Sequence, residues 1–167
     1  IEQPYSNGIW YDVGNHDGVF VNNWVEGCVD GFFFEISSNA VCAGNVFVNC
    51  AKGVRILNSA GVRVYHNTFV NTPASFEVTE RSAVGDHFGW HPSTGPDVQE
   101  RTGHRFAGNL LTADARYAQP LLRVDQLQDR RLDAGAAHYD RRRERPLRRR
   151  HAGDGAVLDG DPLDLGA

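Results

Sequence analysis

Three consecutive stretches of this chain repeat one another at a period near 22 residues, and that period restricts the available folds more than any other feature. They are GIWYDVGNHDGVFVNNWVEGC from Gly8, GFFFEISSNAVCAGNVFVNC from Gly31 and GVRILNSAGVRVYHNTFVNT from Gly53. Asn23, Asn45 and Asn67 fall 22 residues apart in both steps, as do Cys28 and Cys50. Within each stretch apolar residues alternate with others. Ile9, Tyr11 and Val13 match Phe32, Phe34 and Ile36, then Val54 and Ile56. A second run sets Gly18 and Phe20 against Ala40 and Cys42, then Val62 and Val64, and a third apolar position is Val25, Phe47 and Phe69. Alternation of two among β-branched and aromatic residues specifies strands, not helix. Little Leu and no helical half make a leucine-rich repeat a poorer fit. Three short strands per repeat, joined by turns, make the coils of a triangular prism.

Stacked coils give the Asn column a physical reason. Asn tolerates left-handed dihedrals at a sharp turn, and its amide reaches the next Asn one coil away, about 4.8 Å along the stack. Cys28 above Cys50 is expected as two small buried thiols rather than a disulfide.

The phrases Asn45-Val46-Phe47-Val48-Asn49 and Val62-Arg63-Val64-Tyr65-His66-Asn67-Thr68-Phe69-Val70-Asn71 resemble the generic repeat of the right-handed parallel β-helix family. That is the fold of pectate lyases and many other polysaccharide-active proteins. The resemblance implies an all-β, right-handed, single-stranded parallel β-helix of about four to five coils over residues 1–124. It is specific for fold and weak for chemistry, because the family holds lyases, hydrolases, epimerases, esterases and non-catalytic adhesins.

Beyond the third repeat the pattern loosens. Ser75-Phe76-Glu77-Val78 begins a fourth coil 22 residues after Gly53. Residues 80–103 read as a loop inserted between two strands, and His104–Leu111 resumes the second strand and turn, with Asn109 rejoining the Asn column. Pro120–Val124 reads as the first strand of a fifth coil. Residues 125–167 do not fit: residues 141–150 hold seven Arg in ten, and no period continues. This tail is expected to be irregular or disordered and non-native, as text read in a shifted frame would be. The competing reading is a basic arm for an anionic partner. The chain starts at Ile1 and has no Met, so it reads as a fragment or processed chain with any signal out of view.

Composition narrows the function classes. Residues 1–124 carry 8 basic and 12 acidic groups, a balance unsuited to nucleic acid. No apolar run approaches the roughly 20 residues of a membrane helix. Three Cys exclude a disulfide-dense scaffold and a four-Cys zinc site.

The outward face of the first strand carries the candidate chemistry. If Ile9 and Tyr11 point inward, Trp10, Phe33, Arg55 and Glu77 form one outward column, and Asp12, Glu35, Leu57 and Thr79 form the next. Exposed Trp and Phe faces stack on sugar rings. Asp12 and Glu35, one coil apart, repel, so one is expected to hold its proton while the other stays ionised, as general acid and base or nucleophile. The same pair could instead hold Ca²⁺, and Arg55 a substrate carboxylate. The inserted loop contributes His87 and His91 as candidate proton carriers and Trp90 as a wall. The bland alternative is solvated carboxylates with aromatics covered by the loop. The expected function is that of a polysaccharide lyase or glycoside hydrolase on an extended, acidic glycan. The alternatives are a non-catalytic glycan-binding or surface module, or an inactive piece of a larger protein. The substrate class suggests a secreted, periplasmic or cell-surface setting.

Overall fold

The computed structural model describes residues 1–86 and 95–125. His87, Trp90 and His91 lie outside the described residues, as does the Arg-rich tail beyond Asp125. Short strands recur in threes: β1 (Ile9–Tyr11), β2 (Val19–Val21) and β3 (Trp24–Glu26), then β4 (Asp30–Glu35), β5 (Val41–Ala43) and β6 (Val46–Val48). β7 (Lys52–Leu57), β8 (Arg63–Tyr65) and β9 (Thr68–Val70) follow, then β10 (Ala74–Glu77), β11 (Arg105–Ala107) and β12 (Leu110–Thr112), and finally β13 (Leu122–Val124). They stack into three sheets, β1-β4-β7-β10-β13, β2-β5-β8-β11 and β3-β6-β9-β12, and every pairing is parallel. The fold is therefore the all-β parallel solenoid that the period implies.

Inward residues form the core as the alternation requires. Phe32, Phe34, Val54, Ile56, Cys42, Val64, Val25, Phe47 and Phe69 are all buried, and Phe47 stacks on Phe69 with centroids 5.1 Å apart. The exception is Val13, which lies past the end of β1 and is exposed. Cys28, Cys42 and Cys50 are free and buried, and burial pushes the Cys50 thiol up to about 11.

The Asn column is a hydrogen-bonded ladder along the corner between the second and third sheets. Asn67 Oδ1 accepts from Asn45 N and Nδ2, both at 2.9 Å, while Asn67 Nδ2 donates to the Cys42 carbonyl at 2.9 Å. Asn23 bonds Asn45 in the same way, and Asn67 bonds Asn109 across the insertion. The expected left-handed dihedrals belong to the residues just before the ladder: Asn22 at φ 58°, Gly44 at 66°, His66 at 52° and Gly108 at 64°. The preceding residue makes the turn, and this leaves the ladder amide free to face the core.

A second column is glycine. A Cβ on Gly31 would lie 2.6 Å from the Gly53 carbonyl oxygen and 2.8 Å from Phe47 Cδ1, and one on Gly53 would lie 2.6 Å from Thr72 Cγ2. The corner leading into the first sheet therefore has no room for a side chain. Gly53→Ala is expected to cost about 1–3 kcal/mol, as overpacking of a filled core does. Chemical denaturation checks this, and an unchanged midpoint would mean the corner relaxes freely.

The fourth coil corrects the expected register. β10 pairs with β7 so that Arg55 faces Ser75 and Leu57 faces Glu77. Glu77 thus stands in the Glu35 column, not the Arg55 column, and Thr79 leaves the sheet altogether. The cause is a shorter corner: Val48 to Val54 spans six steps, whereas the paired Val70 to Ala74 spans four. The Pro73 carbonyl completes that corner by accepting from Gly53 N at 2.8 Å.

Candidate functional site

β1, β4 and β7 set Trp10, Phe33 and Arg55 side by side on the outward face of the first sheet. The Trp10 and Phe33 rings stack with centroids 5.6 Å apart and planes 12° from parallel. Arg55 places its guanidinium carbon 4.7 Å from the Phe33 centroid, a cation–π contact. Phe33 is buried by these neighbours, whereas Trp10 remains 49% exposed.

Beside Trp10 the chain makes a turn in which Ser6 N donates to the Gln3 carbonyl. The Ser6 and Asp30 carbonyls accept from Val29 N and Gly8 N, fastening this turn to the start of β4. An open recess of about 460 Å³ results, lined by Tyr5, Ser6, Asn7, Trp10 and Val29. Tyr5 is almost wholly exposed. Sequence reasoning passed over Tyr5, Ser6, Asn7 and Val29 because they precede or separate the repeating strands and carry no period.

The two carboxylates expected to work as a pair have different environments. Asp12 is exposed, and its Oδ1 accepts from Val13 N at 2.8 Å. Glu35 has no exposed surface: Oε2 accepts from Trp10 Nε1 at 3.0 Å, and Oε1 lies 2.6 Å from Arg81 Nη1. The Glu35 pKa is raised chiefly by burial. Arg81 and the Trp10 hydrogen bond oppose that rise, and Asp12 adds only a smaller repulsion. The direction of the shift is the one expected for one of the two carboxyls, but burial, and not repulsion between Asp12 and Glu35, is its largest cause.

Glu77 is held in an ion network. Lys52 Nζ donates to Oε1 at 2.6 Å, Ser75 Oγ donates to the same atom at 2.9 Å, and Arg55 Nε donates to Oε2 at 3.0 Å. Arg55 Nη1 also reaches Asp30 Oδ2 at 3.3 Å. Burial works to raise the Glu77 pKa, but the bonds from Lys52 and Ser75 and the Arg55 charge outweigh it and hold the carboxyl below its ordinary value. Arg55, expected to receive a substrate carboxylate, is already shared between two carboxylates of its own chain. Asp30 and Lys52 were overlooked, although their 22-residue spacing, one step before the glycine column, was a readable signal.

The described part of the inserted loop lies against the Glu35 end of this face. Asn58, at the turn after β7, donates to Thr79 Oγ1 and to the Arg81 carbonyl, and its Oδ1 accepts from Thr79 N. Arg101 is buried beneath the loop and donates to the Asn58 and Pro96 carbonyls, both at 2.7 Å, and to Ser82 Oγ at 3.1 Å. These contacts fix the segment that carries Arg81 to Glu35.

The residues present do not suit Ca²⁺ between Asp12 and Glu35. The ion takes six to eight oxygens, yet both Glu35 oxygens face donors, one of them a guanidinium. Among the described residues no three His, Cys, Asp or Glu side chains gather closely enough to hold a metal.

The opposite pKa shifts of Glu35 and Glu77 predict a two-sided pH dependence. Glu35 binds its proton more tightly folded than unfolded, so its contribution is fully present below the ordinary carboxyl pKa near 4.5 and declines as pH rises above it. Glu77 behaves inversely: its contribution is present above about 4.5 and is lost as pH falls through its depressed value. Glu35→Gln is therefore expected to remove a stability gain that the parent shows as pH falls from neutral toward 4.5. Thermal melts across that range check it, and parallel profiles for the two proteins would contradict it.

No curated protein and no solved structure matches the chain. The family model of the right-handed β-helix region matches residues 1–86, just over half of the 167 residues. That match covers the repeats bearing Trp10, Phe33, Glu35 and Arg55, and it agrees with three parallel sheets wound about one core. The chain belongs to the right-handed β-helix family.

Proposed function

We propose that this chain is a carbohydrate-active β-helix whose first sheet binds an extended glycan, led by Trp10. The observation that carries the reading is the half-exposed Trp10 indole, held by its stack on Phe33 and its bond to Glu35, beside an open recess whose rim adds Tyr5 and Asn7. Stacking on a preset ring costs little side-chain entropy, and the apolar faces of sugars match it. The Asn7 amide and Ser6 hydroxyl supply partners for sugar hydroxyls. Binding is the primary role, because Glu35 and Glu77 are committed to cations of the protein itself. A secreted or cell-surface setting suits such a ligand.

A second reading, a lyase or glycoside hydrolase, draws support from the raised Glu35 pKa with Asp12 nearby. In that reading Glu35 is the general acid and Asp12 the base or nucleophile, and Arg81 must swing away to admit substrate.

Titration with oligosaccharides, followed by tryptophan fluorescence, tests the binding role. Trp10→Ala is expected to weaken binding about tenfold or more, the loss typical of an anchoring aromatic. Trp24→Ala removes a similarly exposed tryptophan on the third sheet and should leave affinity unchanged. Equal losses in both variants would remove the first sheet as the binding face.

A further inference from the structure

The charge around the aromatic face selects among glycans. Residues 1–51 contain no Lys and no Arg, yet carry Glu2, Asp12, Asp17, Glu26, Asp30 and Glu35. These residues build the coils that bear Tyr5, Trp10 and Phe33. Among the described residues the cations reaching this face come from later coils and the insertion, and each arrives in an ion pair, including the exposed Arg123 of β13, which pairs with Asp125. Lys52 pairs with Glu77, Arg55 with Glu77 and Asp30, and Arg81 with Glu35. Asp12 is exposed on the same face. The recess lining is uncharged: a phenol, a hydroxyl, an amide, an indole and an isopropyl group.

From this we infer that the face takes an uncharged glycan and discriminates against uronates, an inference that rests on the glycan reading above. A uronate carboxylate is recognised by charge-assisted bonds from Arg or Lys, or by a bridging divalent cation. Here the cations already hold carboxylates of the protein, so a uronate must break an existing pair to be received. It must also approach coils whose residues 1–51 carry six carboxylates and no Lys or Arg, which slows its encounter with the protein and opposes its binding. An uncharged sugar meets neither obstacle: it stacks on Trp10 and Tyr5 and bonds the amide and hydroxyl at the rim. The expectation of an acidic glycan treated Arg55 as available, and the Asp30–Arg55–Glu77 network removes that premise.

The test is a panel of hexasaccharides titrated into the full chain. It comprises β-1,4-linked glucan, xylan, mannan and galactan, with galacturonan, mannuronan and guluronan as the acidic members. Galacturonan is also supplied fully methyl-esterified, which removes its charge and keeps its backbone. The inference predicts binding to at least one uncharged member, at least tenfold weaker binding to every uronate, and affinity changing less than twofold between 50 and 500 mM NaCl. Trp10→Ala should weaken that binding about tenfold or more. A uronate binding most tightly, with affinity falling as salt rises, overturns this inference while leaving the glycan reading intact. Failure of every member to bind at 5 mM overturns both.

Discussion

Asn67→Ala is expected to destabilise the protein by about 3–5 kcal/mol, a large share of the roughly 5–15 kcal/mol that holds an ordinary domain together. Asn67 is buried, and its side chain serves three groups at once: the Asn45 amide N–H, the Asn45 side-chain NH₂ and the Cys42 carbonyl. Removing it orphans the Asn45 N–H and takes one partner each from Asn45 Nδ2, which keeps the Phe20 carbonyl, and from the Cys42 carbonyl, where water cannot replace what is lost, and each such loss costs about 1–3 kcal/mol. Asn71→Ala in the same coil is the control. Asn71 bonds Asn49 and Asp114, but on the exposed corner, where water substitutes. Its φ of 49° leaves mainly the left-handed backbone penalty, about 1–2 kcal/mol. Urea denaturation of both variants should show the buried ladder costing at least twice the exposed one. Equal losses would mean that the ladder contributes no more than its turn geometry.

Arg101→Ala is expected to release the inserted loop while the coils stay folded. The guanidinium is buried and distributes its donors over two carbonyls and a hydroxyl from three separate segments. Hydrogen bonds from a charged donor contribute about 1.5–3 kcal/mol each, and water entering the opened site offsets part of the loss of three, so local opening should become easier by at least about 3 kcal/mol. Limited proteolysis within residues 80–103 should quicken about 100-fold, while denaturant midpoints for the coils move little. Arg101→Lys should not restore protection, since one ammonium cannot reproduce the fork. Unchanged cleavage in both variants would show that the loop is held by other contacts.

How far the sequence could be read follows from what repeats. Period two within period 22 identified the inward Phe32, Phe47 and Phe69, and the Asn spacing found the ladder, including Asn109 across the insertion. The outward Trp10–Phe33–Arg55 row was readable for the same reason. The reading failed where length changed. Asn71 and Thr72 keep the 22-residue spacing from Asn49 and Cys50, but the corner after them is two residues short, so Glu77 moved one column. Pro73 was the local sign, because a Pro before a strand marks a tight corner. Burial of Glu35 was not readable, since it depends on Arg81 from an aperiodic segment. The Tyr5 recess and the Arg101 anchor were hidden likewise: both join residues distant in sequence without any period.

The most direct measurement follows product formation by the full chain, between pH 4 and pH 9, on the glycan it binds most tightly. It is run in parallel on Asp12→Asn and Glu35→Gln. A binding face whose carboxylates are tied to its own cations predicts no cleavage by any of the three proteins, and unchanged glycan affinity in Asp12→Asn. Turnover by the parent chain that disappears in both variants would contradict that account and make Glu35 and Asp12 the reacting pair.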